Sequence, residues 1–582
     1  MRGKRSIRNV AAILICLLVL AAESLFGQSG SSGLVTGVVT DPSGAAIVGA
    51  TVTLQQQGTG ATQTAHTDAD GRYVFPSVNP ANYTLTFAAQ GFATTVVQVL
   101  KVEVLKSSTV NMTLQIGTNA QTITVSEASA AVELQTTTAT VGEVLGGVAL
   151  ESLPVFTRSA SALMFYQPAV SPSGQIAGAR DEQITFTLDG GDVTSDLEGN
   201  NGYAAPPGEP TPSPVVPIPI ESTEEFQVAT TNPNSTFARS SGGQVAVLTK
   251  AGTNTLHGSA YEFHNDDGLN ANTWTNNRLR IHKPHGVDNR FGATLGGPIW
   301  KNKFFLFGNY EGRRFYDDST FNTVIPTATL RSGILQFRDA SGAVDQFSFQ
   351  PGNITTACGG VSCDPRNIGM SPAIAAQMAL YPATGNNSAL GDGLNTTGFT
   401  FNAPTPVLQN IGVLRADYKI NRNWNSFVTY HFANTTRTGT EQFDIVNTGA
   451  PTAVSGDPIK AWFGTFQVQG QLTSTLISVT HGSFLRDWWG WDRLSPTPLV
   501  SGLQETLSLA GEGVGTSNST SKLIADPIVN NTQSARARVF DGHKWYLAQD
   551  FSWSKGTHLF NLGAPGTSRT TSLKKQTILQ AA

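Results

Sequence analysis

Over residues 255–563 apolar and polar positions alternate in long period-two runs. Leu414, Ala416, Tyr418 and Ile420 fall on one side of such a run, and Arg415, Asp417 and Lys419 on the other. Trp462, Phe466 and Val468 likewise oppose Thr465, Gln467, Gln469 and Gln471. Successive side chains of a strand point to opposite faces, so each run predicts a strand with one greasy and one wet face. The first is 256–264, where Tyr261 and Phe263 alternate with Glu262 and His264. Later runs pair across short turns at 298–302, 421–423, 472–474 and 554–556, whereas 312–408, 434–460 and 487–542 are long and irregular. Short connections alternating with long ones predict an antiparallel transmembrane β-barrel. Its short turns would be periplasmic, its long loops external and its lumen wet. Trp424, Tyr430, Trp545 and Trp553 are expected near strand ends, in an aromatic girdle.

Upstream the pattern is finer. Short alternating runs at 35–40, 51–54, 73–75, 83–87 and 110–114 are separated by turn sequences such as Asp41-Pro42-Ser43-Gly44 and Asp68-Ala69-Asp70-Gly71. Residues 33–115 therefore predict a small β-sandwich. In 120–254, the stretches 141–153 and 160–166 predict short helices ending before Pro154 and Pro168. Strands are expected at 184–188, 225–228 and 244–249. The Pro-rich insert 206–219 reads as a stiff, extended, solvated spacer. The fold class is mainly β: an N-terminal β-sandwich, an α/β unit and a partial antiparallel transmembrane β-barrel.

Composition removes several alternatives. Charged residues make up 13% of the chain and the net charge is −4, which leaves no basic stripe for nucleic acid. Three cysteines in 582 residues describe neither a disulfide scaffold nor a zinc module. Arg2, Lys4, Arg5 and Arg8 precede the apolar run 10–22, so residues 1–28 predict a signal peptide cleaved near Gly27-Gln28. That run is shorter than the roughly 20 residues a membrane-spanning helix needs. Cys358 and Cys363, both in the longest loop, are then an even pair, expected to form a disulfide in an oxidising compartment.

The spaced motifs of 153–259 carry a resemblance. Leu153-Pro154 is followed by Pro168-Ala169-Val170, then by Arg180, Gln183 and Leu188-Asp189-Gly190. Glu225-Phe226-Gln227-Val228 comes next, then Arg239-Ser240-Ser241-Gly242-Gly243-Gln244-Val245, then the run from Thr249 to Ser259. In this order they resemble the plug and plug-to-barrel junction of Oar-like TonB-dependent outer-membrane transporters. Val155-Phe156-Thr157-Arg158 departs from the N-G-R-N of many relatives. Residues 33–115 resemble the carboxypeptidase regulatory-like domain, a non-catalytic module that often precedes such receptors.

The resemblance implies a plug at 120–254, a barrel at 255–563 and a place in the outer membrane among its lipids. It also implies an extracellular ligand and a periplasmic TonB-type energy-coupling partner. Ile123, Thr124 and Val125 become the candidate TonB box. The last strand of the sandwich is the equal alternative for that segment. Arg180, Asp189, Gly190, Arg239, Gly242 and Gly243 become plug-motif residues. A surface adhesion or secretion-linked barrel without transport is the second functional reading.

Catalytic chemistry finds no support. No H-E-x-x-H, G-x-S-x-G or P-loop occurs, so neither an enzyme nor a cofactor is expected. His282, His285, His257 and His264 lack metal-ligand spacing. Asp189, Asp192 and Asp196 match no calcium loop. About nine strands are expected from 256 onward, against about 22 in closed transporters of this kind. The aromatic-poor stretch 564–582 is expected to be an aberrant tail of a fragment or frameshifted product.

Overall fold

The computed structural model describes residues 32–493, except 105, 118–121, 126–140, 156, 203, 206–210, 232–241, 352–364, 380 and 445–451, and then 538–556 and 558–575. The expected signal peptide, Arg239 and the Cys358–Cys363 pair lie outside these residues.

The N-terminal strands are β1 (Gly33–Thr40), β2 (Thr51–Gln56), β3 (Thr62–His66), β4 (Arg72–Val78), β5 (Ala81–Ala88), β6 (Thr94–Val102), β7 (Ser107–Thr109), β8 (Met112–Thr113) and β9 (Thr122–Val125). One sheet has the order β4-β1-β7, with β8 also on β1; the other runs β3-β2-β5-β6-β9. Alternate residues of β1, β2 and β5 face a shared core that includes Val35, Val52, Leu54, Phe75 and Phe87. Tyr73 fills its centre and donates its hydroxyl to Val110 O at 2.7 Å. Gly37 is required here, because a Cβ would lie 1.9 Å from that same carbonyl oxygen.

The central unit is one sheet of β10 (Val141–Gly146), β11 (Thr185–Leu188), β12 (Gly191–Asp192), β13 (Thr223–Thr231) and β14 (Gln244–Thr249), in the order β10-β13-β14-β11-β12. The helix expected over 141–153 is wrong in its first half. Val141–Gly146 is a strand antiparallel to β13, and only Val148–Ser152 is helical. Gly142, Gly146 and Gly147 weaken a helix, and Gly142 lets β10 approach β13 where a Cβ would sit 2.1 Å from Val228 O. Residues 160–166 form a 3-10 helix. The Pro-rich insert is not a solvated spacer over its described part, since Val215, Val216 and Ile218 are buried in the central core. Apolar side chains between prolines are driven inward like any others.

The long strands are β15 (His257–Asp266), β16 (Gly286–Trp300), β17 (Phe304–Pro326), β18 (Ile334–Arg338), β19 (Val344–Ser348), β20 (Thr396–Pro404), β21 (Val407–Lys419), β22 (Trp424–Asp444), β23 (Thr452–Thr473), β24 (Leu476–Arg493), β25 (Arg538–Lys555) and β26 (His558–Lys575). Ten of them make one antiparallel sheet, β15-β16-β17-β21-β22-β23-β24-β25-β26, with β20 on the far half of β17. The pair β18–β19 stands apart as a hairpin. The expected pairings across the four short turns all occur.

Two features go beyond the alternation of the sequence. Within the stretch expected to be an aberrant tail, residues 564–575 continue β26 in unbroken register with β25 from Gly563↔Asp550 to Lys575↔Arg538. The backbone donors and acceptors of β25 take partners whatever the side chains, and the Thr/Ser-rich run 567–572 suits a strand. On β15 the aromatic positions face the lumen: the Tyr261 hydroxyl donates to Glu311 at 3.0 Å, while Glu262 and His264 are exposed on the outer side. Elsewhere the inner face is polar. Arg313 binds Asp288 through two nitrogens at 2.9–3.2 Å, and Arg290 meets Glu311 at 3.2 Å.

Candidate functional site

Site geometry begins with the Leu188-Asp189-Gly190 motif. Leu188 pairs with Gly191 across a two-residue turn, with φ of 49° at Asp189 and 83° at Gly190. Two successive positive φ values define the tight hairpin turn for which Asp-Gly is the preferred pair. The turn aims the Asp189 carboxylate at β14, where it accepts from Thr249 N at 2.8 Å and Thr249 Oγ1 at 2.7 Å. Two wall strands converge on it. Arg415 Nη1 of β21 and His431 Nε2 of β22 each lie 3.6 Å from an Asp189 oxygen. Arg415 also donates to Thr249 O at 2.8 Å and forks onto Asp417 at 3.0 Å.

Burial opposes the Asp189 charge, but the His431 imidazole, the Arg415 guanidinium and the Thr249 amide outweigh it. The carboxyl is held below its ordinary value of 3.8.

A second anchor holds the chain just beyond the turn. Lys544 Nζ of β25 meets Asp192 Oδ2 at 3.0 Å, Asp196 Oδ2 at 3.3 Å and Thr194 O at 3.0 Å. Ser195 Oγ donates to Asp487 of β24 at 2.7 Å. The three aspartates weighed for calcium thus face protein cations. Within the central unit Arg158 pairs with Glu221, and its guanidinium lies 4.3 Å above the Phe263 ring of β15.

The sandwich closes a third side. Val104 N donates to Glu225 Oε2 at 3.0 Å. Gln469 and Gln471 of β23 donate to Ser77 O at 2.7 Å and Thr64 O at 2.9 Å, and Asn254 N donates to Gly58 O at 2.8 Å. Between sandwich, central unit and wall lies a polar cavity of about 440 Å³, bordered by Gln57, Asn82, Thr249, Arg415 and Asp417. Burial, with the nearby Glu103 charge adding to it, pushes the Glu225 carboxyl up to about 7 against the Val104 amide and Lys101.

The remaining motif residues are not gathered at this cluster. Arg180 is exposed and precedes a short 3-10 turn, to which its backbone is tied through Gln183 Oε1 at 3.1 Å. Gly242 and Gly243 permit close packing, since added Cβ atoms would meet Ala179 Cβ at 2.8 Å and Ile176 Cδ1 at 2.4 Å. Ile123, Thr124 and Val125 lie on β9, which pairs parallel to Thr95–Val97 of β6. Trp424 and Trp553 do lie at the short-turn ends of β22 and β25, whereas Tyr430 and Trp545 lie farther along those strands. Sequence reading missed Arg415, His431, Asp487 and Lys544 as partners. Their only signal was a charged or polar residue on the wet side of an alternating run.

Residues 248–577 match the family model described as outer membrane beta barrel domain, and 34–115 match the carboxypeptidase regulatory-like domain. The TonB-dependent transporter Oar of Myxococcus xanthus is 26% identical over 314 residues, covering 50% of this chain and 28% of that protein. Among solved structures, the outer membrane transporter YddB from Escherichia coli aligns at 9% identity and a TM-score of 0.44, over 74% of this chain and 52% of that one. The ferric-catecholate import receptor Fiu from E. coli K12 aligns at 11% identity and 0.37, over 76% and 62% respectively. The chain thus spans less than two thirds of each of these relatives, from 28% to 62%.

Proposed function

This chain belongs to the outer membrane beta barrel domain family, and from that premise we propose that it acts as a TonB-dependent outer-membrane receptor and active transporter. The observation that carries the reading is the way the central unit is held. Asp189 and Lys544 tie it to the lumenal wall through polar contacts on separate strands. These polar contacts, which add to an apolar core shared with Ile411, Ala433, Phe463 and Leu485 of the wall, can be exchanged for water under force while the backbone ladder of the wall stays intact.

In this reading residues 1–28 direct export, 33–115 form a periplasmic module and 120–254 are the plug. Strands from 255 onward cross the outer membrane, and their long loops meet an extracellular ligand. A saccharide, a peptide or a metal chelate would each suit such loops. Ile123, Thr124 and Val125 are the segment that a periplasmic TonB-type protein engages by β-strand addition, in which main-chain hydrogen bonds supply the affinity. Energy arrives through that partner, and the chain itself performs no chemical reaction.

The test uses the full chain and a 121–127 deletion, each titrated with the purified periplasmic domain of a TonB-type protein. The intact chain should bind and the deletion should lose binding while keeping its thermal melting. Undiminished binding by the deletion would overturn the assignment of the coupling segment, and no binding by either would overturn the TonB-dependent reading.

A further inference from the structure

The outer surface of the large sheet carries a second feature unrelated to the lumen. Cross-strand neighbours Tyr430, Gly464, Phe484 and Trp545 form one row, with Phe466 and Gly482 directly below it. Gly464 floors a groove of about 800 Å³ walled by Tyr430, Phe466, Phe484 and Trp545, while Gly482 lies beneath the Phe466 ring. Phe484 lies 4.1 Å from Trp545 and 4.3 Å from Trp462, ring centre to ring centre. A Cβ placed on Gly464 would meet nothing nearer than 3.6 Å, an ordinary van der Waals distance, so the floor there admits a side chain.

Charge gathers at one end of this groove. Arg486 faces His543 across the strands, and Lys460 lies 5.1 Å over the Trp488 ring. Asp541 accepts from Arg486 at 2.9 and 3.1 Å and meets His543 at 3.0 Å, so this carboxylate faces one permanent cation and an imidazole, with Lys460 a second cation two strands away. Arg486 and His543 keep 33% and 39% of their side chains exposed.

Height along the strand decides what these cations meet. From Leu476, at the short-turn end, to Arg486 is a ten-residue step on β24, or roughly 33 Å at ~3.3 Å per residue. At a tilt of about 40° this is roughly 25 Å along the membrane normal, the height of the apolar band of such barrels. The rim therefore lies at the outer lipid–water boundary and the groove runs down into the hydrocarbon.

We propose that this groove binds a phosphorylated acyl lipid of the outer leaflet, with a phosphate on Lys460 and Arg486 and one acyl chain over Gly464, between the Tyr430, Phe466 and Phe484 rings. Guanidinium geometry suits phosphate oxygens, basic pockets beside spanning segments take lipid head groups, and an apolar groove facing hydrocarbon is filled by a chain. The inference rests on the membrane placement of the sheet and not on transport.

The full chain in dodecyl maltoside would be titrated with diphosphoryl lipid A, with the same lipid lacking both phosphates, and with inorganic phosphate as competitor, counting bound lipid by native mass spectrometry. One phosphorylated lipid should be retained, bound at least tenfold more tightly than its dephosphorylated form. The K460Q/R486Q double variant should weaken it at least tenfold. G464L, whose side chain occupies the groove floor, should do the same with the cations untouched, which keeps the test decisive if the double variant fails to fold. Equal binding of both lipids, unaltered binding by G464L, full displacement by inorganic phosphate, or a dimer of this chain covering the groove would each overturn the proposal.

Discussion

Replacing Asp189 with alanine removes the acceptor on which one seam between central unit and wall converges. Arg415 keeps its fork on Asp417 at 3.0 Å, so it is not left unpaired. The Thr249 amide is left buried without an acceptor, a loss of about 1–3 kcal/mol. The attraction between Asp189 and Arg415 at 3.6 Å is about 5 kcal/mol at an effective dielectric of ~20, much of it offset because Asp189 no longer has to be desolvated. The net cost should be about 3 kcal/mol, the low end for breaking a buried pair. At 1.36 kcal/mol per tenfold, the amides of β14 and β11 should exchange hydrogen roughly 100-fold faster, while those of β22–β24 stay protected. Because the Asp189 carboxyl is held below 3.8, its contribution is present above that pH and is lost as pH falls through the folded-state value. Hydrogen exchange read by mass spectrometry checks both statements. Unchanged protection of β14, or equal loss throughout the wall, would refute the reasoning.

Other consequences can be measured separately. Glu225, with a folded value near 7 against 4.5 when free, binds protons more tightly in the docked state. Docking of the sandwich should therefore be firmest below pH 4.5 and weaken up to about pH 7, by at most about 3 kcal/mol. Cross-linking yield between the 104 region and β13 at pH 5 and pH 8 reads this, and a flat profile for the wild type, or a slope that persists in E225Q, would contradict it. Arg313 is 1% exposed and holds Asp288 through two nitrogens, so R313A should cost about 3–5 kcal/mol and lower the melting temperature in detergent by several degrees. No shift in a melting curve would mean that Asp288 does not depend on it. K544A should free residues 191–196 to exchange while β14 stays protected, and simultaneous loosening of both would show that the two anchors are not separate.

Much of this architecture is legible because period-two alternation is a local property. The wet and greasy faces of β21 and β23, the four short turns and the strand leading into Asp189-Gly190 could all be read from neighbouring residues. What escaped was set by distant partners. Arg415 and Asp189 are far apart in the chain, as are Lys544 and Asp192, and no local spacing links them. Val141–Gly146 is a strand because β13 offers an edge, which overrides its weak helical signal. Residues 564–575 lack aromatic alternation yet pair fully, since the ladder is made by backbone. Tyr261 was readable as apolar but not as lumenal, because its hydroxyl seeks Glu311 across two strands.

The hairpin around Asp189 is gripped at two places, by β21 and β22 at its tip and by β24 and β25 at Asp192–Asp196. In kinematic terms, a body pinned at one point still rotates freely about it, and a second pin leaves only rotation around the line joining the two. Arg158, stacked on Phe263 of β15, adds a third contact to the wall. Breaking one pin thus loosens the unit first toward the strands that held it, while the other pin and the apolar core it shares with the wall keep it seated.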